Sequence, residues 1–79
     1  MPNIITKIEA YTIPPKNRHA TIFQTYHDLL PNQSFELIND YDPLPLYYQF
    51  QAQFSGQFSW EYLEKGPDMF RVLITKIEL

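Results

Sequence analysis

The sequence predicts an α/β (α+β) two-layer sandwich in the order β-α-β-α-β-β: a four-stranded mixed sheet with two helices on one face. Three observations predict it. Apolar residues alternate with period two near both ends of the chain. They recur at helical spacing in two stretches between, and the prolines fall between these stretches rather than inside them.

Ile4 to Ile13 reads as the first strand. Ile4, Thr6, Ile8 and Ala10 alternate with Ile5, Lys7, Glu9 and Tyr11, and Pro14-Pro15 closes it because neither residue can donate to a ladder. Arg18 to Leu30 reads as the first helix, with Ile22, Phe23, Tyr26, Leu29 and Leu30 as its buried stripe. Asn17 is its expected N-cap, and Pro31-Asn32 its stop. Ser34 to Asn39 is a second strand, with Phe35, Leu37 and Asn39 alternating against Glu36 and Ile38. The turn Asp40-Tyr41-Asp42 leads to a helix over Pro43 to Phe54, capped by Asp42, with Tyr47, Phe50 and Phe54 on one face and Ser55-Gly56 as the stop. Phe58, Trp60 and Tyr62, then Phe70, Val72 and Ile74, flank a Gly66-Pro67 turn and form a hairpin, with Glu61 and Arg71 as a cross-strand pair. The words Ile5-Thr6-Lys7-Ile8-Glu9 and Ile74-Thr75-Lys76-Ile77-Glu78 repeat, which we read as convergence of two strands of similar exposure rather than duplication.

Composition sets the outer limits. Seventy-nine residues make one domain spanning 1–79. With 44% hydrophobic and 16% aromatic residues the chain is too apolar for intrinsic disorder. A net charge of −3 argues against nucleic acid, whose phosphates demand clustered Lys and Arg. The complete lack of cysteine excludes disulfides, thiolate metal sites and persulfide carriage. No apolar run approaches the roughly 20 residues of a membrane helix, and Met1-Pro2-Asn3 lacks the features of a signal peptide. A cytoplasmic bacterial protein is the expectation.

Parallel pairing of the first two strands would bring the loops after them to one sheet edge, where two helix N-termini also point. The first loop carries Lys16, Asn17, Arg18 and His19, and the second Asn39, Asp40, Tyr41 and Asp42, with Tyr48 on the helix beyond. Lys16, Arg18, His19, Asp40, Tyr41, Asp42 and Tyr48 are the candidate ligand-binding set. The chemistry of His19 with Asp40 and Asp42 also suits a divalent metal. His27 cannot join them, because eight helical positions separate it from His19 by roughly 12 Å. No nucleophile–base pair and no glycine-rich phosphate loop is present, so an enzyme is disfavoured and no catalytic residue is assigned.

The residues also resemble a known family. Arg18-His19, Ser34-Phe35-Glu36-Leu37-Ile38-Asn39-Asp40, Asp42-Pro43 with Pro45-Leu46-Tyr47-Tyr48-Gln49-Phe50, Gly56-Gln57-Phe58-Ser59-Trp60-Glu61-Tyr62-Leu63-Glu64, Gly66-Pro67 and Arg71-Val72 are similar to the bacterial family called domain of unknown function 2249. The resemblance runs from about Ile8 to Lys76. Many members carry His between the two aspartates where this chain has Tyr41, which weakens an inherited metal site. More distantly, the element order and the Asp-Pro are similar to the TusA/SirA-like sulfur-relay fold, but its Cys-Pro is absent here. The family implies a setting beside hemerythrin-like di-iron or other redox proteins, in nitrogen-oxide or respiratory metabolism.

Three functional readings follow. The first is a non-enzymatic accessory module that binds a small ligand or a redox-protein partner at the loop edge, without a cofactor. The second is a metal site or metal-assisted enzyme built on His19, Asp40 and Asp42. The third is a homo-oligomeric interaction domain, such as a homodimer joined through the hairpin edge or a closing strand that ends at Leu79.

Overall fold

The computed structural model describes residues 3–77. Its elements run β1 (Asn3–Glu9), a 3-10 turn (Ala10–Thr12), α1 (Pro15–Asp28), β2 (Gln33–Asn39), α2 (Leu44–Gln53), β3 (Phe58–Lys65) and β4 (Phe70–Lys76). This is the expected order in a four-stranded mixed sheet with strand order β1-β2-β4-β3. β1 and β2 are parallel, whereas β4 is antiparallel to both β2 and β3. No helix among the described residues is long and apolar enough to cross a membrane.

The core lies between the sheet and the helices. Phe35, Leu37, Val72 and Ile74 project from the two central strands, and Ile22, Tyr26, Leu46 and Phe50 meet them from the helices, all buried. Aromatic rings join the helices: Phe23 stacks on Phe50 with centroids 4.8 Å apart, and Tyr26 meets Phe54 at 4.5 Å. Edge-to-face and offset arrangements suit the ring quadrupoles and add to what burial alone supplies. The Tyr26 hydroxyl donates to the Gln57 carbonyl, tying α1 to the entrance of β3.

Several boundaries differ from expectation. β1 stops at Glu9, four residues early, because the chain folds into the 3-10 turn. The Thr12 hydroxyl donates to the Glu9 carbonyl at 2.7 Å, and the Ile13 N–H to the Ala10 carbonyl at 3.1 Å, which gives the backbone an alternative to the ladder. α1 begins at Pro15 rather than Arg18, with Pro14 as N-cap and no side-chain cap, so Asn17 lies inside the helix. Pro at the first helical position has its φ preset and lacks the N–H that would otherwise be orphaned. The helix ends at Asp28. Leu29 turns extended and buries its side chain, while Leu30, expected in the stripe, is exposed beside Pro31.

Asp42 does not cap α2. The helix starts at Leu44 with Pro43 as N-cap and no side-chain cap, and the Asp42 carboxylate instead accepts a hydrogen bond from the Tyr62 hydroxyl. Nor does Arg71 pair with Glu61. A bulge at Leu63 sets Arg71 opposite Glu64, while Glu61 faces Leu73, and the Arg71 guanidinium reaches across to Glu36 of β2. β1 carries a second bulge, between Ile4 and Thr6. The repeated pentapeptide occupies unlike places: Ile5 is exposed on an edge strand, whereas Ile74 is fully buried in a central one. Glu78 and Leu79, which close that repeat and the proposed pairing strand, lie outside the described residues.

Candidate functional site

The parallel β1–β2 pair sends the chain off the same sheet edge twice, once into the 3-10 turn and α1 and once into α2. A pocket of about 40 Å³ lies at that edge, between the first turns of the two helices. Its walls are apolar: Ala10 from the 3-10 turn, Ile22 from α1, Leu37 from β2 and Leu46 from α2. Pro43, which is buried, and Pro45, which is exposed, complete the apolar lining. Four side chains bring polarity to it, namely Arg18, His19, Asn39 and Tyr41.

Arg18 is half-buried. One guanidinium nitrogen, Nη2, donates to the Ile13 carbonyl at 3.0 Å, which pins the loop ahead of α1 to the helix itself. Its Nε is buried without a hydrogen-bond partner. Among the described residues no carboxylate lies within 4.0 Å of Arg18, the ion pairs found there belonging to Arg71. Asn39, the last residue of β2, is only 3% exposed, and its Oδ1 is likewise buried and unpartnered. Buried polar atoms are hydrogen-bonded in the great majority of cases, so a donor and an acceptor left open around one pocket call for an explanation. Tyr41 and His19 remain exposed at the mouth, and the His19 ring stands edge-on to Phe23 at 6.2 Å.

The pocket thus gathers three of the seven candidate residues: Arg18, His19 and Tyr41. Lys16 and Asp40 are exposed at the same edge but do not line it, and Asp42 is engaged by Tyr62. Tyr48 lies 64% exposed beside Tyr47, away from the pocket lining. His19, Asp40 and Asp42 do not form a ligand set: no group of three or more His, Asp or Glu side chains among the described residues is placed to hold a metal ion. The sequence places Asn39 at the same loop edge, but neither it nor Ala10 is in the expected binding set. The signal for Asn39 was present, since it occupies the inward position that Phe35 and Leu37 lead to.

A second, shallower depression of about 240 Å³ is lined by Leu44, Tyr47, Trp60 and Tyr62. Burial and the hydrogen bond to Asp42 push the Tyr62 phenol above its ordinary pKa of 10.0. The Trp60 indole nitrogen there is buried without a partner, but no cationic residue lines the depression. The Lys65 ammonium sits 4.8 Å from the centroid of the Tyr62 ring. This surface offers aromatic area rather than an enclosed polar site.

No curated protein and no solved structure matches the chain. A family model described as Uncharacterized conserved protein (DUF2249) matches residues 7–76.

Proposed function

The chain belongs to the DUF2249 family of conserved proteins, and from that premise we propose that it is a non-enzymatic accessory module that binds a small anion in the loop-edge pocket. Arg18 carries this reading. A guanidinium cannot lose its charge at any physiological pH, and placing it half-buried with no carboxylate nearby leaves much of its desolvation unrelieved. An anionic oxygen in the pocket would accept from Nε and form a charge-assisted bond, roughly twice as strong as a neutral one. The apolar walls support this role, because they lower the local dielectric and strengthen that bond. Lys16 and the first turns of both helices add favourable potential, set against the Asp40 carboxylate at the same edge, in a protein whose net charge is −3.

The test is an amide-shift titration of isotope-labelled protein with acetate and with propionate. Saturable shifts centred on Ala10, Arg18, Asn39 and Tyr41 are expected, and they should vanish in Arg18→Ala. Shifts that do not saturate, or that centre elsewhere on the sheet, would overturn the reading.

A further inference from the structure

We infer that the anion is a 2-hydroxycarboxylate of two or three carbons; the inference rests on the reading of the pocket as an anion site. It follows from Asn39. A carboxylate offers only acceptors, so by itself it would satisfy Arg18 and leave the buried Asn39 Oδ1 without a donor. The pocket asks for both an acceptor and a donor from one small guest.

Size places those two groups close together. About 40 Å³ takes a head group of roughly three water-sized groups, since a cavity needs about 10–15 Å³ of such space to hold one water. The hydroxyl therefore belongs on the carbon next to the carboxylate. Charge then separates a hydroxyl from an ammonium. An α-amino acid would also donate, but its cation would be buried beside Arg18 with only a neutral amide oxygen to receive it. A neutral hydroxyl matches a neutral acceptor. The remaining hydrogen or methyl of the ligand meets Ala10, Ile22 and Leu46, which offer apolar contact.

The experiment compares matched pairs on the intact chain by calorimetry or amide-shift titration: glycolate against acetate, and lactate against propionate, with glycine as the amino analogue. The hydroxy acids are expected to bind at least about tenfold tighter than their partners, because the partner leaves a buried acceptor open. Glycine is expected to bind more weakly than glycolate. Asn39→Ala should erase the preference between glycolate and acetate. Should that variant fail to fold, the wild-type comparison still decides the matter. Equal affinity for glycolate and acetate would overturn the 2-hydroxycarboxylate while leaving the anion site standing. Tighter binding of glycine would overturn it in favour of an amino acid. Binding of none of these acids would remove both readings together.

Discussion

Arg71 grips the Glu36 carboxylate across β4 and β2 with two hydrogen bonds, Nε to Oε2 at 2.9 Å and Nη2 to Oε1 at 3.3 Å. Glu36 is 2% exposed although it lies on the sheet face opposite the helices. The forked guanidinium covers it there, with the Glu64 carboxylate 4.0 Å away on the outer side.

This pairing makes folding sensitive to acid. The hydrogen bond from Arg71 is the largest influence on Glu36 and holds it below its ordinary value of 4.5, against the opposing effect of burial. A carboxylate depressed in the folded state stabilises the fold above its unfolded pKa, and that stability is lost as pH falls through the folded value. Urea midpoints should therefore fall below about pH 4.5. Glu36→Gln should flatten this acid limb while lowering the midpoint at neutral pH.

Gly66→Ala should destabilise the hairpin. Gly66 has φ +74°, and a methyl group there would lie 2.9 Å from the Phe70 ring. The left-handed conformation alone costs a non-glycine residue about 1–2 kcal/mol. Chemical denaturation is expected to show at least that loss, and a change within error of zero would contradict it.

Tyr26→Phe should be mild despite the complete burial of this residue. The Gln57 carbonyl that accepts from the Tyr26 hydroxyl also accepts from the Ile77 N–H at 3.0 Å, so it keeps a partner after the hydroxyl is removed. The expected cost is about 0.5–1.5 kcal/mol by urea titration, the range for a net hydrogen bond rather than for a newly orphaned group.

Asp42→Ala tests the role found for that carboxylate. The Tyr62 phenol is raised first by burial and then by its bond to Asp42. Removing Asp42 should lower the phenol pKa toward 10.0 without reaching it, since burial remains. Ultraviolet titration of the variant against wild type reads this directly. Loss of α2 helicity without a phenol shift would mean that Asp42 acts as a helix cap after all.

Ala10→Leu should close the loop-edge pocket. Ala10 is 1% exposed and forms one wall, so a longer side chain grows into the space that the ligand would occupy. Overpacking of this kind costs about 1–3 kcal/mol. The variant should remain folded by circular dichroism and show none of the acetate-induced shifts. Unchanged binding would move the site elsewhere.

The element order was legible because period-two and helical spacings leave few alternatives once prolines separate them. The hairpin from Phe58 to Lys76 was the clearest case, since Trp60, Tyr62, Val72 and Ile74 all face the helices as their alternation required. Helix ends were less legible. Asn17 and Asp42 have the chemistry of caps, but Pro14-Pro15 and Pro43 already start the helices, and Asp42 has a stronger tertiary partner in Tyr62. Arg71 was paired wrongly because a bulge leaves no mark in alternation until the strand is seen in register. At the site, topology brings Arg18, His19 and Tyr41 to the lining of one pocket, while Lys16, Asp40 and Tyr48 lie outside that lining; charge and ring are visible in sequence but direction is not. Asn39 was left out of the binding set as the end of a strand, and Ala10 as a position within one.

The two bulges have a consequence for contacts between copies of the chain. β1 and β3 form the sheet's two borders, and each is kinked, near Ile5 and near Leu63. A kinked border is a poor template for strand addition, because an incoming chain loses register where the extra residue intrudes. Such borders act as built-in brakes on edge-to-edge growth into fibrils. That restraint is useful to a protein whose edge strand leaves Ile4 and Ile5 nearly half exposed.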